Sequence, residues 1–360
     1  MLPSITPRYE NVNKHINKGG GYPLARCNKN FVVQRRIDEM MKISSKRSKL
    51  TILLLSLMLL FSVVFPVNAA TWNLTGDTNV HDPAYIVENG TGTRWVFSTG
   101  EGIQVLYSTD GVNYKRSGKI FNSRPSWWSN YVPNHTGLDV WAPDIYYYNG
   151  TYYLYYSIST FGSKISAIGL VTTTSISGGV WTDKGMVTYS NNSTNYNAID
   201  ANITQAANGA LWMVFGSWSN GIYITSISSS TMKPTGNSYR IATKSGGIEG
   251  SSLVYNSNTG YYYLFVSIGV CCSGTSSTYK VAVGRSTSPL GPFYDKNGID
   301  MKNGGASVID SGNGAWVGPG GQDVYGTNVI ARHAYSVAEN GAPKLLISDL
   351  YWDSNGWPYY

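Results

Sequence analysis

Short runs of aromatic and β-branched residues, separated by turn residues, fill the chain after residue 70. Ile145–Tyr148 and Tyr152–Ser157 flank an Asn-Gly pair, which is a strong signal for a β-hairpin. The same order of apolar run, glycine-containing turn and aromatic run recurs over Ser252–Val266. Because no long stretch keeps an apolar period of about 3.6 residues, we predict an all-β domain over residues 71–360.

Each repeat of this pattern begins with an acidic residue beside a short apolar run. The acids return about 50 to 60 residues apart, which is the spacing of a multi-strand unit rather than of a helix pair. Five units begin near residues 80, 139, 196, 247 and 316. This number of four-stranded units predicts a five-bladed β-propeller whose first strands line a central channel. A β-sandwich is the alternative architecture, but it does not explain why acids return at the start of successive units.

Residues 40–70 carry the pattern of a secretory signal peptide. The basic run Lys42–Lys49 precedes the almost wholly apolar stretch Leu50–Val67, and small residues follow it. A membrane anchor is the alternative, since the apolar stretch approaches the length of a spanning helix. We predict a secreted, extracellular protein that has no membrane association after cleavage. Residues 1–39 are then a non-native or unstructured extension ahead of a start at Met40 or Met41.

The formal net charge of +7 belongs to the N-terminal segment. Residues 1–70 hold 11 of the 27 Lys and Arg and 3 of the 20 Asp and Glu, so residues 71–360 hold 16 and 17 and have a net charge of −1. A nearly neutral body gives no electrostatic reason to expect nucleic acid as a partner.

The cysteine content is low, with Cys271 and Cys272 side by side and Cys27 in the N-terminal segment. One adjacent pair is neither a disulfide framework nor a metal-binding spacing. The pair is either two small buried residues or a vicinal disulfide near a functional loop, which secretion would permit.

Three acids at the starts of units suit hydrolytic chemistry on sugars. A glycosidase needs one carboxylic acid to protonate the leaving oxygen and one carboxylate to act on water or on carbon. A third charge can set the pKa of the acid. Asp82, Asp200 and Glu249 match these needs in residue type and in place within the repeat. Asp144 and Asp323 are instead typical of acids that bind backbone N–H groups at strand ends.

The motifs around these acids resemble the ordered signatures of glycoside hydrolase family 43. They are His81-Asp82-Pro83, Trp141-Ala142-Pro143-Asp144, Asn197-Ala198-Ile199-Asp200 and Glu249-Gly250-Ser251. Two further stretches, Ser159–Gly169 and Cys271–Ser286, are similar to the arabinanase branch of that family. The resemblance extends over nearly all of the chain that follows the signal-like segment.

The resemblance implies a five-bladed propeller that hydrolyses arabinan or xylan side chains with inversion and requires no cofactor. Asp82 would be the general base, Glu249 the general acid, and Asp200 the residue that raises the pKa of the acid and orients it. Inversion implies that the base and acid carboxyls lie roughly 6.5–9.5 Å apart, which leaves room for a water molecule.

Further residues are expected to contact the sugar, from the resemblance or because aromatic rings near strand ends stack on sugar rings. They are His81, Trp141, Phe161, Gly162, Asn197, Ser217 and Trp218. Relative to the family pattern, Trp218 is displaced by one position in Gly216-Ser217-Trp218-Ser219.

The family also carries a histidine that helps to hold a central metal, and Gly318–Gln322 lacks it. His333 matches a second family histidine, so we consider it as a ligand of a structural ion such as Ca²⁺ in the channel. A buried core histidine is the alternative. His135 lies in a polar loop and is expected at the surface.

The leading hypothesis is a secreted, monomeric endo-1,5-α-L-arabinanase whose substrate is plant-wall arabinan, a side chain of pectin. An exo-acting α-L-arabinofuranosidase or β-xylosidase on the same fold is the alternative within the enzyme class. A carbohydrate-binding propeller without catalysis is the alternative outside that class.

Overall fold

The computed structural model of the chain describes residues 38–43 and 71–360. Residues 38–43 are helical and exposed. The remainder of the predicted extension and signal peptide lies outside the described residues. Among the helices that are described, none combines the length and the apolar character needed to cross a membrane.

Residues 71–360 form a five-bladed β-propeller, which confirms the predicted fold. Blade 1 contains Ala84–Val87, Arg94–Ser98, Gln104–Ser108 and Asn113–Lys119, with Thr75–Gly76 at its edge. Blade 2 contains Asp139–Tyr148, Thr151–Ile158, Ser166–Thr173 and Thr182–Ser190, with Gly100–Glu101 against the first of these. Blade 3 contains Asn202–Gln205, Leu211–Phe215, Ile222–Ile227 and Tyr239–Ala242. Blade 4 contains Ile248–Asn256, Tyr261–Ile268, Lys280–Ser286 and Ser307–Asp310.

Blade 5 contains Trp316–Tyr325, Val329–Ser336 and Ala342–Asp349. The last hairpin pairs Tyr351–Trp352 with Pro358–Tyr359. Helical structure in this part of the chain is limited to short turns, at Trp128–Tyr131, Gly274–Ser276 and Met301–Asn303. We call the first strand of each blade its inner strand.

The N-terminal segment supplies what blade 5 lacks. The prediction gave four strands to every unit, but the last unit contributes three to its sheet. Thr71 and Asn79 bridge to Ser348 and Lys344 on the outer strand of blade 5, and the backbone N–H of Leu345 donates to Thr78 O at 2.7 Å. Both ends of the described domain therefore meet in one blade, and this pairing closes the ring.

The hydrophobic core lies between the blades, because each sheet packs against two neighbours. Every residue of Ser166–Thr173 is buried, so this strand does not show the apolar–polar alternation of a sheet with one solvated face. Val80, from the N-terminal segment, packs with Tyr85 of blade 1 and Ile347 of blade 5. The closing segment is thus held by burial as well as by backbone pairing.

The prediction that His135 lies at the surface is wrong. Its side chain is buried beside Trp128, with ring centroids 5.7 Å apart, and Nε2 lies 2.7 Å from the backbone oxygen of Asp139. The polar loop folds back over an aromatic core between blades 1 and 2. A polar sequence around a histidine did not indicate this tertiary packing.

Candidate active site

One backbone feature repeats in all five blades. At an equivalent place, within the inner strand in blades 2, 4 and 5 and two residues before it in blades 1 and 3, one residue has a positive φ. These residues are Asp82 (49°), Ala142 (37°), Asp200 (58°), Gly250 (56°) and Gly321 (54°). In blades 2, 4 and 5 the pairing register also shifts there, as in a β-bulge. A bulge re-aims the neighbouring side chains, so we call this place the bend position.

The three acids predicted to be catalytic, here called the pocket acids, do not occupy matched places. Asp82 and Asp200 stand at the bend position, whereas Glu249 precedes it by one residue. His81 is the counterpart of Glu249 in blade 1. The sequence repeat therefore brought acids to the same end of the channel, but the local bend decides how each carboxyl enters the site.

The pocket acids line a cavity of about 630 Å³ at the ends of the inner strands. Every residue that the sequence predicted to touch the sugar also lines it. These are His81, Trp141, Phe161, Gly162, Asn197, Ser217 and Trp218. Phe161 is 85% exposed and Trp218 is 51% exposed, so both rings are open to a ligand. A cavity of this size with convergent carboxyls and aromatic rings suits a sugar chain.

Asp82 is held as a carboxylate. Its Oδ2 accepts hydrogen bonds from Thr99 Oγ1 at 2.6 Å and from His81 Nδ1 at 2.8 Å. Burial disfavours the charged form, but the charge and hydrogen bond of His81 hold the pKa of Asp82 well below its usual range. Oδ1 takes no hydrogen bond from the described residues. It lies against Gly321, where a Cβ would collide with it, and 3.4 Å from His333 Nδ1.

The surroundings of Glu249 shift its pKa in the opposite direction to that of Asp82. Its carboxyl accepts hydrogen bonds from Ser217 Oγ at 2.8 Å and from Tyr279 Oη at 2.9 Å. Burial raises the pKa of Glu249, although these hydroxyls and the nearby Trp218 lower it in part. A hydroxyl can rotate to accept as well as donate, so both partners tolerate a protonated Glu249.

Asp200 is coupled to this acid. Burial and the nearby charge of Glu249 raise the pKa of Asp200 well above its ordinary value. Its Oδ2 accepts the backbone N–H of Gly250 at 3.0 Å, directly after Glu249 in the chain. The pKa of Asp200 and that of Glu249 are therefore both raised, in each case chiefly by burial, whereas the pKa of Asp82 in the same cavity is lowered.

Several predicted sugar contacts have their polar atoms occupied. Ser217 donates to Glu249, both ring nitrogens of His81 are hydrogen-bonded, and Asn197 Oδ1 accepts from Ser166 Oγ at 2.7 Å. These residues shape the cavity and hold the acids. Trp218 packs its ring on Gly247, where a Cβ would overlap the indole. The glycines around Glu249 thus make room for an aromatic ring.

Sequence reasoning missed three side chains that hold the acids or their partners, namely Thr99, Tyr279 and Tyr335. A repeat signal does exist for the first. Thr99, Ser157 and Ser267 end or follow second strands, and each hydroxyl accepts the backbone N–H at the bend position of the next blade. Aligning the units would have revealed this hydroxyl. Tyr279 lies within Cys271–Ser286, a stretch that resembles the arabinanase branch, but no local signal gives it a role, and none marks Tyr335.

Cys271 and Cys272 form a disulfide, so the interpretation as two small buried residues is wrong. Both residues line the cavity, and Cys272 is exposed. The second alternative, a vicinal disulfide beside a functional site, is confirmed. The pair itself lies in a loop without strand or helix, so no sheet covers it.

His81, Asp82 and His333 form the cluster of metal-capable side chains found among the described residues. Ca²⁺ takes about six to eight oxygen ligands, whereas this cluster offers one carboxylate and two stacked imidazoles with centroids 3.7 Å apart. His333 Nδ1 accepts the backbone N–H of Asp82 at 3.1 Å. Burial lowers the pKa of His333 to about 3, as expected of a neutral core histidine. The donor set does not fit a protein-held Ca²⁺.

Carboxyls of divergent pKa in a cavity rimmed by aromatic rings define a glycoside-cleaving enzyme. Comparison with known proteins agrees, since the profile of "Glycosyl hydrolases family 43" matches residues 73–358. The chain belongs to this family, and it is a glycoside hydrolase of the arabinanase branch.

Individual relatives support the same placement. The chain is 50% identical over 310 residues to an extracellular endo-α-(1→5)-L-arabinanase of Bacillus subtilis, covering 84% of this chain and 94% of the relative. It is 38% identical to an extracellular exo-α-(1→5)-L-arabinofuranosidase of Cellvibrio japonicus, covering 78% and 86%. A solved endo-arabinanase of Bacillus licheniformis superposes with a TM-score of 0.77 at 50% identity, covering 80% of this chain and all of that one. The predicted extracellular location is confirmed by these relatives.

Proposed function

We propose that this enzyme hydrolyses internal 1,5-α-L-arabinofuranosidic linkages of plant-wall arabinan with inversion. The observation that carries the proposal is that two carboxyls in one cavity have opposed surroundings. His81 and Thr99 donate hydrogen bonds to Asp82 and lower its pKa, whereas burial and the charge of Asp82 raise the pKa of Glu249. An inverting hydrolase needs a base and an acid poised in this way.

In the proposed reaction Asp82 Oδ1 accepts a proton from a water molecule as the water oxygen attacks the anomeric carbon. The bond from that carbon to the leaving oxygen breaks, and Glu249 gives its proton to the leaving oxygen. The anomeric configuration is inverted because water enters on the face opposite the leaving group. Asp200 holds the N–H of Gly250 and keeps the pKa of Glu249 high, so that it is a proton donor near neutral pH.

The role of the aromatic rim is to bind the chain on either side of the cleaved bond. Phe161 and Trp218 expose their rings at the cavity, and Trp141 is fixed by a hydrogen bond from Nε1 to Asp139 Oδ2 at 2.7 Å. Exposed rings at the cavity can stack on sugar units beside the cleaved bond, which suits binding within a polymer. The proposed substrate is therefore arabinan, including the arabinan side chains of pectin, bound by a monomer.

The test is product analysis on linear, debranched arabinan. Wild-type enzyme should release mixed arabino-oligosaccharides, and the first-formed reducing ends should have the inverted anomeric configuration by NMR. Glu249→Gln should release none at a comparable rate while still binding the polymer. Near-wild-type turnover by Glu249→Gln would refute the assignment of the acid.

Exo action is the second candidate, favoured by the similarity to the exo-acting Cellvibrio relative. It predicts arabinose or one short product from the earliest time points, with little fall in the viscosity of the polymer. Endo action predicts a rapid fall in viscosity before much sugar is released. The two assays run on one sample distinguish the candidates.

The processing of the chain is also a proposal. The mature enzyme is expected to begin near Thr71, after removal of residues 40–70 as a signal peptide. The contacts of Thr71 and Val80 with blade 5 support this start, because cleavage further along the chain would remove contacts that close the ring. Intact-mass analysis of the secreted protein tests the cleavage point, and retention in the membrane fraction would favour an anchor.

A further inference from the structure

The Cys271–Cys272 disulfide lies on the wall of the catalytic cavity, and Cys272 also contacts Tyr335 and His81. The backbone N–H of Cys272 donates to Tyr335 Oη at 2.8 Å. Its sulfur lies 4.0 Å from His81 Nε2. A cross-link between adjacent residues closes almost no loop, so it hardly reduces the entropy of the unfolded chain. The usual stabilisation by a disulfide is therefore small here. Its position next to His81 indicates another role.

Tyr335 joins this turn to the proposed base. Its hydroxyl lies 2.8 Å from His81 Nε2, and His81 Nδ1 lies 2.8 Å from Asp82 Oδ2. Tyr335 is buried on blade 5, and it reaches His81 across the start of blade 1. The resulting chain of contacts runs from Cys272 through Tyr335 and His81 to Asp82.

This chain of contacts keeps a proton on His81 Nδ1. When His81 is neutral, Tyr335 donates to Nε2 and the single ring proton stays on Nδ1. When His81 is charged, Nε2–H donates to Tyr335 and Nδ1–H is still present. In both states Nδ1–H faces Asp82 and favours its ionised form. Without Tyr335, the tautomer with its proton on Nε2 becomes accessible, and that tautomer turns a lone pair toward the carboxylate.

The disulfide holds the N–H that fixes Tyr335. Cys272 has a φ of 61°, a left-handed conformation that is costly for a residue with a Cβ. The covalent link to Cys271 encloses the peptide bond between them in a small ring, which restricts how this backbone can relax. Reduction opens the ring and lets Cys272 leave the left-handed region, so its N–H turns away from Tyr335.

We propose that Tyr335 and the Cys271–Cys272 turn are positioning residues for Asp82, acting through His81, and that hydrolysis depends on the intact disulfide. The inference rests on the proposed role of Asp82 as the base. The other titratable groups that face Asp82 and His81 are Glu249, Asp200, His333 and Tyr279. None of these is altered by the changes described next.

The first test removes the Tyr335 hydroxyl. Tyr335→Phe should lower kcat on linear arabinan about 10-fold to 100-fold, a part of what a positioned base contributes. The acid limb of its pH profile should move upward by about one to two pH units, as expected on loss of one charge-assisted hydrogen bond. Tyr114→Phe is the matched control, because Tyr114 is fully buried and its hydroxyl has no partner among the described residues. That variant should keep the wild-type profile.

The second test is reduction. A dithiol such as dithiothreitol gives two electrons to the S–S bond, yielding two thiols and the oxidised dithiol. Residues 71–360 contain no other cysteine, so any effect on the mature enzyme comes from this pair. Wild type should lose activity with the same upward shift of the acid limb, and reoxidation should restore both. Cys271→Ser/Cys272→Ser should resemble the reduced enzyme and ignore the reductant.

The outcomes separate this inference from the proposed function. If Asp82→Asn abolishes hydrolysis while Tyr335→Phe and reduction leave kcat and the acid limb unchanged, the positioning role is refuted and the base assignment stands. If Asp82→Asn remains active, the proposed function itself fails. If the reduced enzyme has a lower melting temperature but an unchanged pH profile, the disulfide has only a structural role, and the inference is refuted.

Discussion

Two sets of acids stand on the same inner strands and serve different ends. The pocket acids lie at the bend position or one residue before it, and side chains donate to Asp82 and Glu249. Asp144 and Asp323, which we call the strand-linking acids, lie two residues after the bend position. Asp144 Oδ2 accepts the backbone N–H of Ile203 at 3.0 Å, and Asp323 Oδ2 accepts that of Tyr85 at 2.7 Å.

The difference shows that the donors around a carboxyl, more than its place in a repeat, decide its use. A strand-linking acid ties one inner strand to the inner strand of another blade, because one of its oxygens accepts a backbone N–H that is fixed in position. Asn202 does the same without a charge, since its Oδ1 accepts the backbone N–H of Leu253 at 2.9 Å. Asp82 and Glu249 are instead held by hydroxyls and an imidazole, which can reorganise when a proton moves. Asp200 is the exception among the pocket acids, since it accepts the backbone N–H of Gly250.

The largest expected effect on kcat comes from removing the charge of one acid in each set and comparing the two variants. Asp82→Asn should lower kcat on arabinan by about 10²-fold to 10⁴-fold, the usual contribution of a general base. Asp144→Asn makes the same chemical change at a strand-linking acid, and it should leave kcat close to the wild-type value. Initial rates at saturating substrate measure both. Equal losses in the two variants would erase the distinction between the sets.

The second prediction concerns the pH dependence of stability. Burial raises the pKa of Asp323 to about 7, above the value of the unfolded chain. The unfolded state then releases its proton at lower pH, so wild type loses stability as pH rises from about 4 to 7. Asp323→Asn keeps an oxygen for Tyr85 N–H but has no charge to bury.

The difference in unfolding free energy, Asp323→Asn minus wild type, should therefore be about 2 kcal/mol larger at pH 8 than at pH 5. The repulsion between Asp323 and Asp144 acts in the same direction, because it also raises the pKa of Asp144. Denaturant unfolding at the two pH values measures the difference. A constant gap between the two proteins would show that Asp323 is not buried as a charge.

The third prediction tests the strand-linking bond itself. Asp144→Ala removes the acceptor of the Ile203 N–H and of the Asn202 amide, which lies 2.8 Å from Asp144 Oδ1. Leaving these buried donors unpaired should cost about 2 kcal/mol of unfolding free energy. Chemical denaturation measures this, with Asp144→Asn as the control that keeps one acceptor. Loss of less than half this value would indicate that water replaces the acid.

The sequence predicted the architecture because each unit repeats its own local signal. An acid, an apolar run, a turn and an aromatic run are all close in the chain, so the five inner strands were recognisable singly. The strand that closes blade 5 was not, since residues 71–80 carry no comparable alternation. Their pairing with Lys344 and Ser348 depends on the closed ring, which is a property of the whole domain.

For the site, the acids were recognisable and their partners were not. Asp82, Asp200 and Glu249 belong to short motifs, whereas Tyr335 meets His81 across 254 positions of sequence. Nothing near Tyr335 in the chain distinguishes it from other buried tyrosines of this aromatic protein. The bend position was also hidden, because a positive φ at Asp82 or Asp200 arises from the packing of the strand ends and not from a glycine.

Thr99 provides the last test, with the smallest expected effect. Its side chain contacts both a pocket acid and a backbone N–H. Its hydroxyl donates to Asp82 at 2.6 Å and accepts the backbone N–H of Ala142 at 2.8 Å. Ser157 is the counterpart in blade 2, where its hydroxyl accepts the N–H of Asp200 at 3.0 Å and touches no carboxyl oxygen. Thr99→Val and Ser157→Ala each remove one hydroxyl from the same place in the repeat.

If donation to the carboxyl is what makes a pocket acid, the two variants must differ. Thr99→Val should lower kcat about tenfold and move the acid limb upward, since Asp82 loses a charge-assisted hydrogen bond. Thr99→Ser should restore both values. Ser157→Ala leaves a backbone N–H without its partner, so it should lower stability while keeping the acid limb of wild type. Identical pH profiles for Thr99→Val and Ser157→Ala would mean that the hydroxyls act only through the backbone, and the pocket acids would then differ from the strand-linking acids in position alone.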